Sequence, residues 1–366
     1  MNPINKISQS EETAPFRSDL VHLRRRMLGM SQSELAAASG LSQAVISKIE
    51  DGLKSPTEAQ QAALAKALRC LLSFFFQAER EYGAPISAHP MFRKKAAVGV
   101  KVLSQFIAEL NVRIAHLRTL LKTVDLEPEL PLPQYDVDDF EGGAEEVAAN
   151  VRRAWYAPSG PIKSLMDYVE RAGCIVVHLD MADAQIDGVS YRIPGLPPII
   201  FLNSRAPGDR QRFSLAHELG HLVMHAIPHP EMEDQANQFA SALLMPRHDI
   251  TPHLRDISLE RAAQLKRVWR VSMAALLVRA KTTGAIDHYK SDYLWRQMSS
   301  MGYRTMEPPE LAIEREQSTL FPAMLRHLTE ELGYTESDLE QVLMLHYAEI
   351  SAMYGLQKQS GLRLVN

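Results

Sequence analysis

Cysteine is nearly absent. The two in 366 residues, Cys70 and Cys174, lie in unrelated segments with no C-x-x-C, and they read as reduced core residues of a cytosolic protein rather than a disulfide framework. No stretch approaches 18 consecutive apolar residues, so no membrane span is expected. Residues 1–12 carry no apolar run of the export type, so no export signal and a cytoplasmic location are expected. Charge of one sign is lacking too. A net charge of −4 argues against a protein that coats nucleic acid, while leaving room for a local basic face. There is no internal repeat. What remains, 46% apolar and 23% charged residues, describes an ordinary globular chain long enough for two or three domains.

The most informative stretch is Arg212-Phe-Ser-Leu-Ala-His217-Glu218-Leu-Gly-His221. Histidines four apart on a helix differ by about 40° in direction and about 6 Å along the axis, so both imidazoles can close on one ion. Glu218, next to the first histidine, can reach a water in the position a catalytic zinc leaves open. That is the H-E-x-x-H arrangement, with His217 and His221 as zinc ligands and Glu218 as general base. The alternative is an amphipathic helix with two surface histidines.

A third ligand decides between them. The zinc helix is expected to end near Ala226, before Pro228 and Pro230, and a second helix reads Glu231 to Met245. Its apolar stripe is Ala236, Phe239, Ala240 and Leu243; Glu233 points towards that stripe, whereas Glu231 and Asp234 lie off it. Glu233 is therefore the expected third ligand to one Zn²⁺ per chain, with Asn237 one turn on to orient its carboxylate. His225 lies about 12 Å along the axis from His217, too far to share the ion, and is expected beside the site or at the surface.

Together with Glu233-Asp-Gln-Ala-Asn-Gln-Phe-Ala-Ser-Ala-Leu-Leu-Met-Pro246, Val271 to Ala280, Met301-Gly-Tyr-Arg304 and Glu307-Pro308, this stretch resembles the ImmA/IrrE family of metallopeptidases over residues 160–310. The resemblance implies zinc held by His217, His221 and Glu233, and cleavage of helix-turn-helix repressors that switches on mobile-element or stress genes.

Nearer the start, Leu20, Leu23 and Met27 mark a helix, Ser33 to Ser39 a second, Gly40 a turn, and Ser42 the cap of a third that runs to Glu50. Two short helices across a Gly-containing turn make a helix-turn-helix. The segment Leu23 to Gly52 resembles the phage-repressor (XRE, Cro/CI-like) family. Base contacts are expected from Ser42, Gln43, Ala44 and Ser47 at the start of the third helix. Arg24 to Arg26 and Lys48 are backbone candidates, and Gln32 matches the position that the resemblance assigns to a phosphate. Protein contact or dimerisation is the competing use of such a unit.

The expected fold is mostly α with a small β-sheet (α+β). A helix-turn-helix bundle over 17–79 precedes a linker and long helix over 80–136, a zincin-like domain over 137–310 and a helical C-terminal region over 311–366. Within the zincin-like domain, strands are expected at Gly173 to Leu179, Gly188 to Ile193 and Pro198 to Asn203, and a sheet edge above the metal could hold an extended peptide. Tyr191 on these strands is a candidate oxyanion donor, with packing as its alternative role. The long helix from Ala96 to Val124 joins domains or pairs with a second protomer, so a homodimer is expected. The combined expectation is a DNA-binding zinc metallopeptidase whose partners are operator DNA and a repressor-type substrate, or its own helix-turn-helix domain severed at the 84–95 linker. The rival is a repressor or antitoxin whose metal site senses or stabilises without proteolysis.

Overall fold

A computed structural model describes residues 14–78, 80–85 and 99–356. The 84–95 linker lies almost wholly outside the described residues. The chain separates into two compact units that are not consecutive in sequence: the first takes residues up to Gly83, Ala97–Asp125 and the chain from Met324 onward, the second Ala84–Ala96 and Leu126–Ala323.

The first unit begins with α1 (Ser18–Met27), α2 (Gln32–Ser39), α3 (Gln43–Glu50) and α4 (Glu58–Ala67). The ends of α2 and the start of α3 have local causes. Ser31 and Glu34 form a reciprocal capping box on α2, Gly40 ends it in the left-handed region at φ 70°, and the Ser42 hydroxyl accepts from Val45 N–H to start α3. Leu20, Leu23, Leu35, Ile46, Ile49 and Leu64 face inward and are buried. Helix α5 (Val100–Leu120) buries Phe106, Leu110, Ile114 and Leu117. The stripe expected to join domains or pair with a second protomer is buried within this unit. Asn111 fastens α5 to the chain before it, accepting from Tyr82 N–H at 2.6 Å and donating to Tyr82 C=O at 2.9 Å.

In the second unit, α6 (Gly143–Ala154) and α7 (Leu165–Arg171) precede β1 (Ile175–Leu179), β2 (Gly188–Tyr191) and β3 (Ile199–Asn203). The sheet order is β1-β3-β2. Strands β1 and β3 run parallel, Ile175 opposite Ile199; β2 and β3 run antiparallel, Gly188 opposite Leu202 and Tyr191 opposite Ile199. Then follow α8 (Gly208–Met224), α9 (Met232–Leu244), α10 (Arg247–Leu254), α11 (Leu259–Trp269), α12 (Met273–Thr282) and α13 (His288–Ser300). Ile200 and Leu202 of β3 join Leu215, Leu219, Phe239 and Leu243 in one core.

This unit extends past residue 310, where side chains of α7 and α8 find partners. Arg212 of α8 pairs with Glu316, and Glu170 of α7 accepts from the backbone N–H groups of Thr319 (2.9 Å) and Leu320 (3.0 Å). The segment expected as one C-terminal region is therefore divided at residue 323. Helices α14 (Glu336–Leu343) and α15 (Tyr347–Tyr354) belong to the first unit, where Leu71 N–H donates to Met344 C=O at 3.1 Å. No helix among the described residues is long and apolar enough to cross a membrane.

Candidate metal centre

Helix α8 is buried along nearly its whole length, from Ser214 to Met224 without a break. A helix with no polar face must be covered on several sides. Here α9 covers one side and the β2–β3 sheet another, and two glycines set how closely they approach. A Cβ on Gly220 would stand 3.0 Å from the Phe239 ring of α9, and one on Gly188 of β2 would stand 3.0 Å from Cγ of Glu218. A side chain at either position would require the Phe239 ring or the Glu218 side chain to give way.

The close approach brings three donor groups together. Nε2 of His217 and Nε2 of His221 are 3.0 Å apart; Glu233 of α9 lies 3.2 Å from the latter and 3.8 Å from the former. Tetrahedral ligands at zinc distances of about 2.0–2.1 Å sit about 3.3 Å from one another, so this spacing fits a small cation. His217, Glu218 and His221 also place donor atoms within 4.8 Å of one another. Glu218 differs from Glu233 in its attachment: Ser190 of β2 donates to its Oε2 at 2.7 Å, holding it to the sheet beside the histidine pair. Asp234, the rival one residue on from Glu233, is exposed.

Electrostatics favour neutral imidazoles. Burial, reinforced by the neighbouring His221, pushes His217 down to about 4; burial with His225 pushes His221 down to about 3. Neutral histidine is the form that binds metal. The other ring nitrogens are occupied. Nδ1 of His217 lies 3.1 Å from Oδ1 of Asn237, and Nδ1 of His221 lies 3.0 Å from Nδ1 of His225. Asn237 was expected to orient the Glu233 carboxylate; it meets His217 instead, because its place one turn beyond Glu233 faces that ring. Asn237 and Phe213 also line a cavity of about 1140 Å³ with apolar walls that include Val278 and Met306.

Tyr191 is displaced from the role considered for it. Neighbouring strand residues point to opposite faces. Since Ser190 faces Glu218, Tyr191 faces away and packs edge-on against Phe201 at 6.3 Å between ring centroids. Sequence reasoning missed Ser190, whose only signal is its strand parity. It also missed Lys266, buried between Asp209 and Glu307, which ties α11 to α8 and to the segment holding Glu307-Pro308.

In the first unit, Ser42, Gln43, Ala44 and Lys48 are exposed on α3, and Ser47 is half-buried. Gln43 donates to Gln32 Oε1 at 2.8 Å, Gln32 donates to Glu50 at 2.9 Å, and Arg25 forks onto both Glu50 oxygens at 2.6 and 2.8 Å. Arg24 does not reach the surface expected of it. It is 0% exposed, donating to the carbonyls of Leu68 (3.0 Å) and Arg69 (3.1 Å) and to both oxygens of Glu349 on α15. Helix α1 points it inward, where no phosphate can reach it.

A metallopeptidase-like domain and a helix-turn-helix domain are thus joined in one chain. Residues 169–281 match the Peptidase_M78 family model, an IrrE N-terminal-like domain, and residues 21–75 match the helix-turn-helix model HTH_3. No curated protein matches the chain.

Proposed function

We propose that the protein is a DNA-binding zinc metallopeptidase that regulates transcription by cleaving a helix-turn-helix repressor. The observation that carries the reading is the convergence of His217, His221 and Glu233 with Glu218 held beside them. Zinc, when bound there, supplies a Lewis acid and lowers the pKa of water towards about 7. Glu218 accepts the proton of the attacking water and passes it to the leaving amine. Ser190 fixes the carboxylate for both transfers. The exposed start of α3 is the surface for operator DNA, through Ser42, Gln43 and Ala44, with Lys48 on the phosphates.

The test is a time course of the zinc-loaded protein with helix-turn-helix repressors from neighbouring genes. Wild type is expected to cut one of them, and Glu218→Gln to cut at least about 10²–10⁴-fold more slowly, with unchanged zinc content. Undiminished cutting by Glu218→Gln removes Glu218 from the chemistry. A zinc-loaded wild type that cuts none favours a repressor whose metal site senses or stabilises.

A further inference from the structure

His225 is used by nothing in that mechanism, yet it is half-buried and both its ring nitrogens are engaged. Its Nε2 lies 2.9 Å from Oε1 of Gln235, two residues beyond Glu233 on α9. An amide oxygen only accepts, so His225 donates from Nε2 and leaves its Nδ1 as an acceptor. Nδ1 of His221, 3.0 Å away, must then carry the proton. That leaves Nε2 of His221 with a bare lone pair, aimed at Nε2 of His217 and at Glu233. The Asn237 amide oxygen does the same for His217 directly. Two lone pairs 3.0 Å apart beside a carboxylate form an arrangement that a cation reconciles.

We propose that Gln235 and His225 are positioning residues that set the tautomer of His221 in advance of metal binding; the proposal rests on the zinc reading above. One short stretch of α9 then supplies a ligand, Glu233, and, two and four residues further on, the two amides that orient the other ligands. Gln235 acts at two removes, through His225. Oriented partners of this kind are worth about ten- to a hundredfold in metal affinity.

The test uses the full-length protein labelled with ¹⁵N-histidine. Two-bond ¹H–¹⁵N spectra of the zinc-free form at neutral pH report the tautomers, and zinc titration of the same samples reports affinity. In the wild type, His221 is expected to be protonated on Nδ1 and His225 on Nε2. Gln235→Leu should scramble both tautomers and weaken zinc about ten- to a hundredfold. Gln235→Glu, which keeps an acceptor, should restore both. A wild-type His221 protonated on Nε2 overturns the proposal, as does a Gln235→Leu protein with unaltered tautomers and affinity. Failure of the zinc reading looks different: no zinc is bound by the wild type, while the expected tautomers are still present.

Discussion

Each unit buries histidine, and the two treat it differently. In the first unit His116 is satisfied at both nitrogens, by the Tyr354 hydroxyl at 2.6 Å and the Leu343 carbonyl at 2.9 Å. Arg24 likewise spends its guanidinium on two carbonyls and Glu349. In the second unit His217 and His221 each meet an orienting partner at Nδ1 and turn Nε2 towards the other and towards Glu233. Burial and a depressed pKa are common to both settings: His116 too is pushed down to about 3, by burial and then by Arg113. A structural histidine closes its network, whereas the candidate metal centre leaves donor atoms that converge on one point.

The sharpest way to break this comparison is at Arg24. If it is structural, Arg24→Ala should cost about 3 kcal/mol of unfolding free energy, because the change strands the Glu349 carboxylate and two carbonyls. The figure is an upper range, since Glu349 retains 25% side-chain exposure. Chemical denaturation followed by circular dichroism measures it. An unaltered midpoint, with a salt dependence of DNA binding reduced by about one ion, would return Arg24 to the phosphate contacts.

Gln43→Ala sits at the opposite extreme of burial. It should leave stability alone and cost about 1–3 kcal/mol at one base position of the operator. Gel shifts against the DNA upstream of the gene show this, and equal binding of both proteins to random DNA would leave α3 a protein-contact surface.

A pH dependence is shared by both regions. His116, His217 and His221 all titrate lower in the folded zinc-free protein than the ordinary 6.5. The unfolded chain therefore binds protons first as pH falls. The stability these groups contribute is fully present above about 6.5 and is lost as pH falls towards about 4 and then 3. Each fully titrating group steepens the loss by up to about 1.4 kcal/mol per pH unit. Urea midpoints in chelator between pH 7 and 4 give the slope; one that is flat below 6.5 contradicts the burial of neutral rings.

Much of this was legible in the sequence where chemistry depends on spacing along one helix. His217, Glu218 and His221 declared themselves, and Glu233 followed from its place on an amphipathic stripe. The caps Ser42 and Gly40 marked the helix-turn-helix because caps are local. Contacts made across the sequence were not legible. Arg24 read as one of three adjacent arginines, and nothing nearby signals a carboxylate at residue 349. Tyr191 and Ser190 are neighbours whose roles depend on which face of β2 meets α8, a parity that a four-residue strand does not announce. The C-terminal helices showed their periodicity but not their partner.

The proposed function requires that one cation be held by His217, His221 and Glu233. Metal analysis of purified wild type, Glu233→Ala and Asp234→Ala, each incubated with equal zinc and desalted, tests it most directly. The account predicts one zinc per chain in the wild type and in Asp234→Ala, and little or none in Glu233→Ala. Full zinc in Glu233→Ala would contradict it, and with a simultaneous loss in Asp234→Ala would move the third ligand to the exposed side of α9.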